Sequence, residues 1–173
     1  MKKLRLLVTE YCPKNCAGCC NKDIDLDALP IISSVDQLVD YDEIYVTGGE
    51  PLCEARTDHT LSIIASIIVN TKARIFVYTS AVDNPVVLAK VLTMLHGMTI
   101  TLHTQKDAED FKIVMALMSR GLRMSKSLRL NVFKGVDITG MYTGGFMVKD
   151  NIEWIKDCLL PVGEEFKRIG DIG

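Results

Sequence analysis

Apolar and polar residues follow two rhythms along this chain. Near-alternation marks "KLRLLVTE" (3–10), "DEIYVTGG" (42–49), "ARIFVYTS" (73–80), "MTITLHT" (98–104) and "SLRLNVF" (127–133). A period of two predicts strands with two different faces. Between them lie segments with a helical period: "SSVDQLVDY" (33–41), "TDHTLSIIASIIVN" (57–70), "PVVLAKVLTML" (85–95) and "DAEDFKIVMALMSR" (107–120). Asn84-Pro85 supplies an N-cap and a first-turn proline to the third of these. Gly97 and Gly121 are read as the stops of the last two. A weaker sixth strand is expected in "GGFMVK" (144–149), then a helix in "NIEWIKDCLL" (151–160) that Pro161 ends. The last dozen residues give no firm pattern.

Strand–helix alternation at this spacing predicts βαβ units and a parallel sheet. Parallel strands covered on both sides read as unbroken apolar runs. Here one face is partly polar. Leu128, Leu130 and Val132 oppose Arg129, Asn131 and Phe133, and Ile100 and Leu102 oppose Thr99, Thr101 and His103. The expectation is therefore an α/β fold built as a partial (β/α)5–6 barrel, helices outside and a polar lumen inside. A closed eight-stranded barrel needs more chain, about 250 residues. A flat doubly wound sheet is the competing architecture. No linker composition interrupts the sequence, so a single domain over residues 1–173 is expected, with its core at about 3–150 and a C-terminal helix and tail after it.

Net charge is −2, which gives no general affinity for a phosphate backbone, so no nucleic-acid partner is expected. The acidic stretches at residues 23–27 and 36–43 read as solvated loops and faces. Met1-Lys-Lys leads into a strand pattern instead of a long apolar run, so no signal peptide is expected. The longest uncharged apolar run, "LSIIASIIV", is far short of the ~20 residues of a membrane span. A cytoplasmic protein with no membrane partner is the expectation. There, clustered cysteines mean metal or redox chemistry more often than disulfides.

Four of the six cysteines fall within "CPKNCAGCC", residues 12–20. Cys12, Cys16 and Cys19 form C-x3-C-x2-C in the loop after the first strand, at the end of a parallel sheet where chemistry gathers. Three thiolates from one short loop can hold three corners of an iron–sulfur cube and leave the fourth iron for a small molecule. Other readings stay open. Structural zinc wants four ligands, but Cys53 and Cys158 stand alone, and His59, His96 and His103 lack ligand spacing. A redox pair would suit Cys16 and Cys19 and leave Cys12 unused. Cys20, Cys53 and Cys158 are read as packing thiols.

The second signal is "TGGEPL" (47–52), which ends the second strand. Its glycines are read as letting a ligand approach exposed backbone, and Glu50 as accepting from an ammonium group. A plain turn is the alternative for that segment taken alone.

Together, Cys12-x3-Cys16-x2-Cys19 after strand one and Gly48-Gly49-Glu50-Pro51 after strand two resemble the radical S-adenosylmethionine (SAM) superfamily, with the βα pattern extending the likeness over about residues 3–150. The resemblance implies a [4Fe–4S] cluster on the three cysteines and SAM chelated to the free iron, with Gly48, Gly49, Glu50 and Pro51 receiving its methionyl end. It implies an oxidoreductase or lyase that cleaves SAM reductively, giving a 5′-deoxyadenosyl radical that abstracts hydrogen from a substrate. An electron donor such as flavodoxin or ferredoxin follows. Thr79, Ser80, His103 and Asn131 become candidate SAM contacts, and Arg129 and Lys134 candidate partners of an anion. The residue before the third cysteine is often aromatic in the family; here it is Gly18. "GCCN" (18–21) matches a form found in some small activating enzymes. Two enzymatic roles follow: action on a small molecule, or installation of a glycyl radical on a protein partner that completes the open barrel. A non-catalytic iron–sulfur or zinc protein is the alternative of another class.

Overall fold

The computed structural model describes residues 1–155 and 160–170. In chain order these form β1 (Lys3–Leu7), β2 (Ile31–Ile32), β3 (Glu43–Thr47), α1 (Thr57–Asn70), β4 (Arg74–Thr79), α2 (Pro85–Met94), β5 (Gly97–Leu102), α3 (Gln105–Leu117), α4 (Arg120–Met124), β6 (Ser127–Phe133), β7 (Phe146–Ile152) and β8 (Glu164–Ile169). The fold is α/β. Its strands hydrogen-bond in the order β2-β8-β1-β3-β4-β5-β6-β7, all parallel. Among the described residues no helix is long and apolar enough to cross a membrane.

The chain divides into two compact units, Met1–Phe76 with Trp154–Gly173, and Val77–Glu153. The division falls inside β4, where nothing in the composition marks a boundary.

In the first unit β1 pairs with β3 and β8. Leu4, Leu6, Ile44 and Val46 are buried, as are Ile63, Ile64 and Ile67 of α1. The alternate strand positions carry polar groups and rings. Arg5 Nε is 2.9 Å from Glu164, and Tyr45 stacks on Phe76 with centroids 5.1 Å apart. Burial pushes the Glu43 carboxyl up, but the Tyr45 hydroxyl, Lys3 and Arg74 outweigh it and hold it below its ordinary range.

In the second unit β6 pairs with β5 and β7. Met98, Ile100, Leu102, Leu128, Leu130 and Val132 are buried, with Leu88, Val91 and Leu92 of α2 and Phe111 and Val114 of α3. Phe111 meets Phe146 of β7 edge-on at 5.3 Å, so α3 lies on the Leu128–Phe146 face. The sequence anticipates α1, α2 and β6 closely, and Asn84 caps α2 through the Val87 N–H at 3.3 Å.

Four expectations change. The helix over 33–41 is a single 3-10 turn, Val35–Leu38, capped at its start by the Ser34 side chain. Gly97 does not stop α2; the chain turns extended at Leu95 and Gly97 opens β5. Gly121 lies inside α4, since α3 ends at the extended Met118 and Ser119 caps a new helix. Asn151 and Ile152 belong to β7, and residues 153–155 and Leu160 are not helical; the other residues of the expected helix, 156–159, lie outside the described ones. β2 and β8 were not anticipated.

Candidate metal centre

β1 and β3 run side by side in register, Leu7 opposite Thr47. The pairing continues past the strand ends. Val8 N–H donates to Thr47 O (2.9 Å), Gly49 N–H to Thr9 O (2.7 Å) and Glu50 N–H to Tyr11 O (2.8 Å). The stem of the cysteine loop is thus bonded directly to Gly48–Glu50. From the far end of the loop, Asn21 Nδ2 donates to Gly48 O (3.0 Å).

This contact explains the glycines differently from the sequence. A Cβ on Gly48 would stand 2.5 Å from Thr9 O, and one on Gly49 would collide with Glu10 O (2.5 Å) and Tyr11 O. The close approach that the structure shows is by the protein's own backbone, and the N–H groups of Gly49 and Glu50 are paired, not exposed. Glu50 is 2% exposed and one of its oxygens accepts from Leu52 N–H at 3.1 Å. Pro51 O and Cys53 O accept from the hydroxyls of Thr60 (2.6 Å) and Thr57 (2.9 Å), which anchor the segment on α1.

Within the loop, Cys19 N–H donates to Cys16 O (3.3 Å), so a turn brings the second and third cysteines round together. Cys12, Cys16 and Cys19 are free, half-buried thiols. Burial pushes the Cys16 thiol up, and the charges of Cys12 and Cys19 push it further against the pull of Lys14. All three therefore share one electrostatic neighbourhood. They are not drawn into a ligand set: among the described residues no three His, Cys, Asp or Glu side chains are gathered closely enough to hold a metal ion. This loop has the donors of a cluster site without its convergence. Three free thiols on one turn-rich loop remain the donor set that an iron–sulfur cluster uses.

Cys20 is disulfide-bonded, which overturns its reading as a packing thiol; disulfides are not confined to secreted chains, only less common elsewhere. Cys53 is a buried free thiol, pushed up by burial and then by Glu50. Cys158 lies outside the described residues.

Sequence reasoning passed over two residues. Asn21 is one. The other is Trp154, whose ring occupies the space where a Cβ on Gly18 would go. An aromatic ring thus flanks the position before Cys19, supplied from the far end of the sequence.

Thr79, Ser80, His103 and Asn131 belong to the second unit. Thr79 and Ser80 are buried at the end of β4, where Thr79 Oγ1 accepts from Ala81 N–H at 3.1 Å. His103 follows β5, its N–H donating to Asp107 (2.8 Å) and its ring 4.7 Å from that of Phe133. Asn131 is half-buried on β6. Lys134 pairs with Glu153 at 2.6 Å. Gly144 and Gly145 form a turn, Phe146 N–H donating to Thr143 O.

Comparison with known families, with curated proteins and with solved structures finds no match for the chain.

Proposed function

We propose that the chain is a radical SAM enzyme, with Cys12, Cys16 and Cys19 holding a [4Fe–4S] cluster. One observation carries the reading: the three-cysteine stem and Gly48–Pro51 are adjacent and bonded backbone to backbone, through Gly49 N–H to Thr9 O and Glu50 N–H to Tyr11 O. When bound, the cluster supplies an electron for cleaving SAM to methionine and a 5′-deoxyadenosyl radical that takes hydrogen from a substrate. The chain's residues bind and orient. Gly48 and Gly49 let the two segments touch, Asn21 closes the loop on them, and Glu50 offers carboxylate oxygens at the junction. We read the sheet as an open barrel, a reading supported by strands whose positions alternate between buried apolar residues and half-buried or exposed polar ones. An electron donor of the flavodoxin or ferredoxin kind and a small-molecule substrate belong to the same proposal; a protein partner receiving a glycyl radical is its variant.

The test is 5′-deoxyadenosine formation by anaerobically reconstituted protein with SAM and a strong reductant. Product is expected from the native chain and none from Cys16→Ala. A full, reducible cluster that binds no SAM would overturn the reading.

A second reading has its own observation. Glu50 is buried and one of its oxygens accepts from Leu52 N–H, which suits a non-catalytic iron–sulfur or zinc protein with no ammonium group to receive. Glu50→Ala separates the two: weakened SAM binding at unchanged iron content supports the enzyme, and absence of SAM binding in both forms supports the metal protein.

A further inference from the structure

The second unit has a groove of about 280 Å³ lined by Tyr78, Thr99, Arg129, Asn131, Met147 and Lys149. The strand register explains the grouping. Thr99 lies opposite Arg129, and Arg129 opposite Met147; Asn131 lies opposite Lys149. These positions are two residues apart along each strand, so all emerge on one face. Phe146 and Leu128, one residue earlier, point to the other face, where Phe146 meets α3. The groove therefore lies on the side of these strands that α3 leaves uncovered.

Its charge is one-sided. Arg129 and Lys149 stand one strand and two residues apart, roughly 8 Å between Cα atoms from a strand spacing of about 4.8 Å and a rise of about 3.3 Å per residue. Side chains of that length can converge on one group. Among the described residues neither forms an ion pair, and no carboxylate lines the groove. Other strand cations are neutralised within their own unit: Arg5 by Glu164, and Lys3 and Arg74 by Glu43. Exposed lysines and arginines are common on any surface. Two of them one strand and two residues apart over a concave floor, with the Asn131 amide between them, the Thr99 hydroxyl beside Arg129 and no acid to balance them, are not accounted for by solvation alone.

We infer that this groove binds a small molecule carrying a carboxylate or phosphate group. The Arg129 guanidinium matches the paired oxygens of either anion, and Lys149 adds a second charge. Asn131 and Thr99 provide hydrogen bonds, while Tyr78 and Met147 give apolar walls for the rest of the ligand. The volume falls just below the range of drug-sized ligand pockets, which starts at about 300 Å³, so the occupant is a small metabolite. The inference deepens the proposed function and in part rests on it, since Asn131 and Arg129 are among the contacts that the resemblance implies, but its test involves neither the cysteines nor Gly48–Pro51.

The test is a titration of the ¹⁵N-labelled full chain, free of metal and SAM, at constant ionic strength. Inorganic phosphate is one arm, succinate the other, and chloride the control. Saturable shifts at the amides of Thr99, Arg129 and Lys149 are expected with phosphate or succinate, and the stronger arm names the anion. Arg129→Gln should weaken binding about tenfold or more, as the loss of a charge-assisted pair requires. Arg129→Lys should recover part of it, and the spectra themselves report that each variant is folded. No saturable shift with either anion, shifts at other residues, or equal affinity in Arg129→Gln would overturn the inference. Because no cluster is present, failure here leaves the radical reading standing, and failure of that reading shows in the 5′-deoxyadenosine assay instead.

Discussion

Gly49 and Gly121 show how the same residue type acts oppositely in two settings. At Gly49 a methyl group meets the carbonyl oxygens of Glu10 and Tyr11, and backbone on both sides cannot give way. Gly49→Ala is expected to destabilise the protein by about 1–3 kcal/mol, the range for overpacking, and thermal unfolding would register a fall of several degrees. At Gly121, inside α4, a Cβ meets nothing within 4 Å. Gly121→Ala should raise stability by about 0.4–1 kcal/mol, because alanine restricts the unfolded chain and fits the helix. Equal melting temperatures for the two variants would refute the reading of both sites. Much of the candidate site was legible at this scale, since cysteine spacing and Gly-Gly-Glu-Pro are local patterns. Asn21 and Trp154 were not, because a side chain reaching across the fold leaves no periodic trace. Trp154 is the chain's one tryptophan. Cluster assembly beside it should quench its emission, and the same iron and sulfide added to Cys16→Ala should not.

At the scale of elements, long periodic segments were read well and short ones were not. β2 has two residues, below any useful period. β8, "EEFKRI", is polar enough to pass for a tail, yet it pairs in parallel with β1, Glu165 opposite Leu4. Charge pairing takes the place of apolar content there. Tyr41 Oη donates to Glu165 at 2.7 Å, and Lys167 lies 2.9 Å away. The Tyr41 hydroxyl, then Lys167, holds the Glu165 carboxyl down to about 2, against an ordinary 4.5. In that interval the unfolded chain binds a proton that the folded chain does not. This contribution to stability is therefore complete above about pH 4.5 and is lost as pH falls through about 2. Glu165→Gln should flatten the acid limb of the stability curve between those values, and salt should flatten it in the native chain, since the group is partly exposed. An unchanged acid limb in Glu165→Gln would remove the carboxylate from the account of how β8 is held.

For the whole molecule, the division into two units was invisible in the sequence because it cuts through β4, a strand whose alternation runs on without a break. The division nevertheless sorts the candidate residues: the three cysteines, Asn21 and Gly48–Pro51 fall in the first unit, and Thr79, Ser80, His103 and Asn131 in the second. A cluster that binds the folded loop and not the unfolded chain must stabilise the fold, by about 2.7 kcal/mol when the free ligand stands at a hundred times its dissociation constant. That stabilisation should register first where the ligands are tied into the sheet. Hydrogen exchange is accordingly expected to slow on anaerobic reconstitution at residues 8–21 and 48–53, whose backbones are joined by the bonds from Gly49 and Glu50. Stripping the metal with a chelator should reverse the effect, and Cys16→Ala should show none of it. Protection that appears equally in Cys16→Ala would place the metal elsewhere. Protection confined to residues 12–19 would mean that the loop closes without engaging Gly48–Glu50, and the backbone contact that supports the proposed function would lose its force.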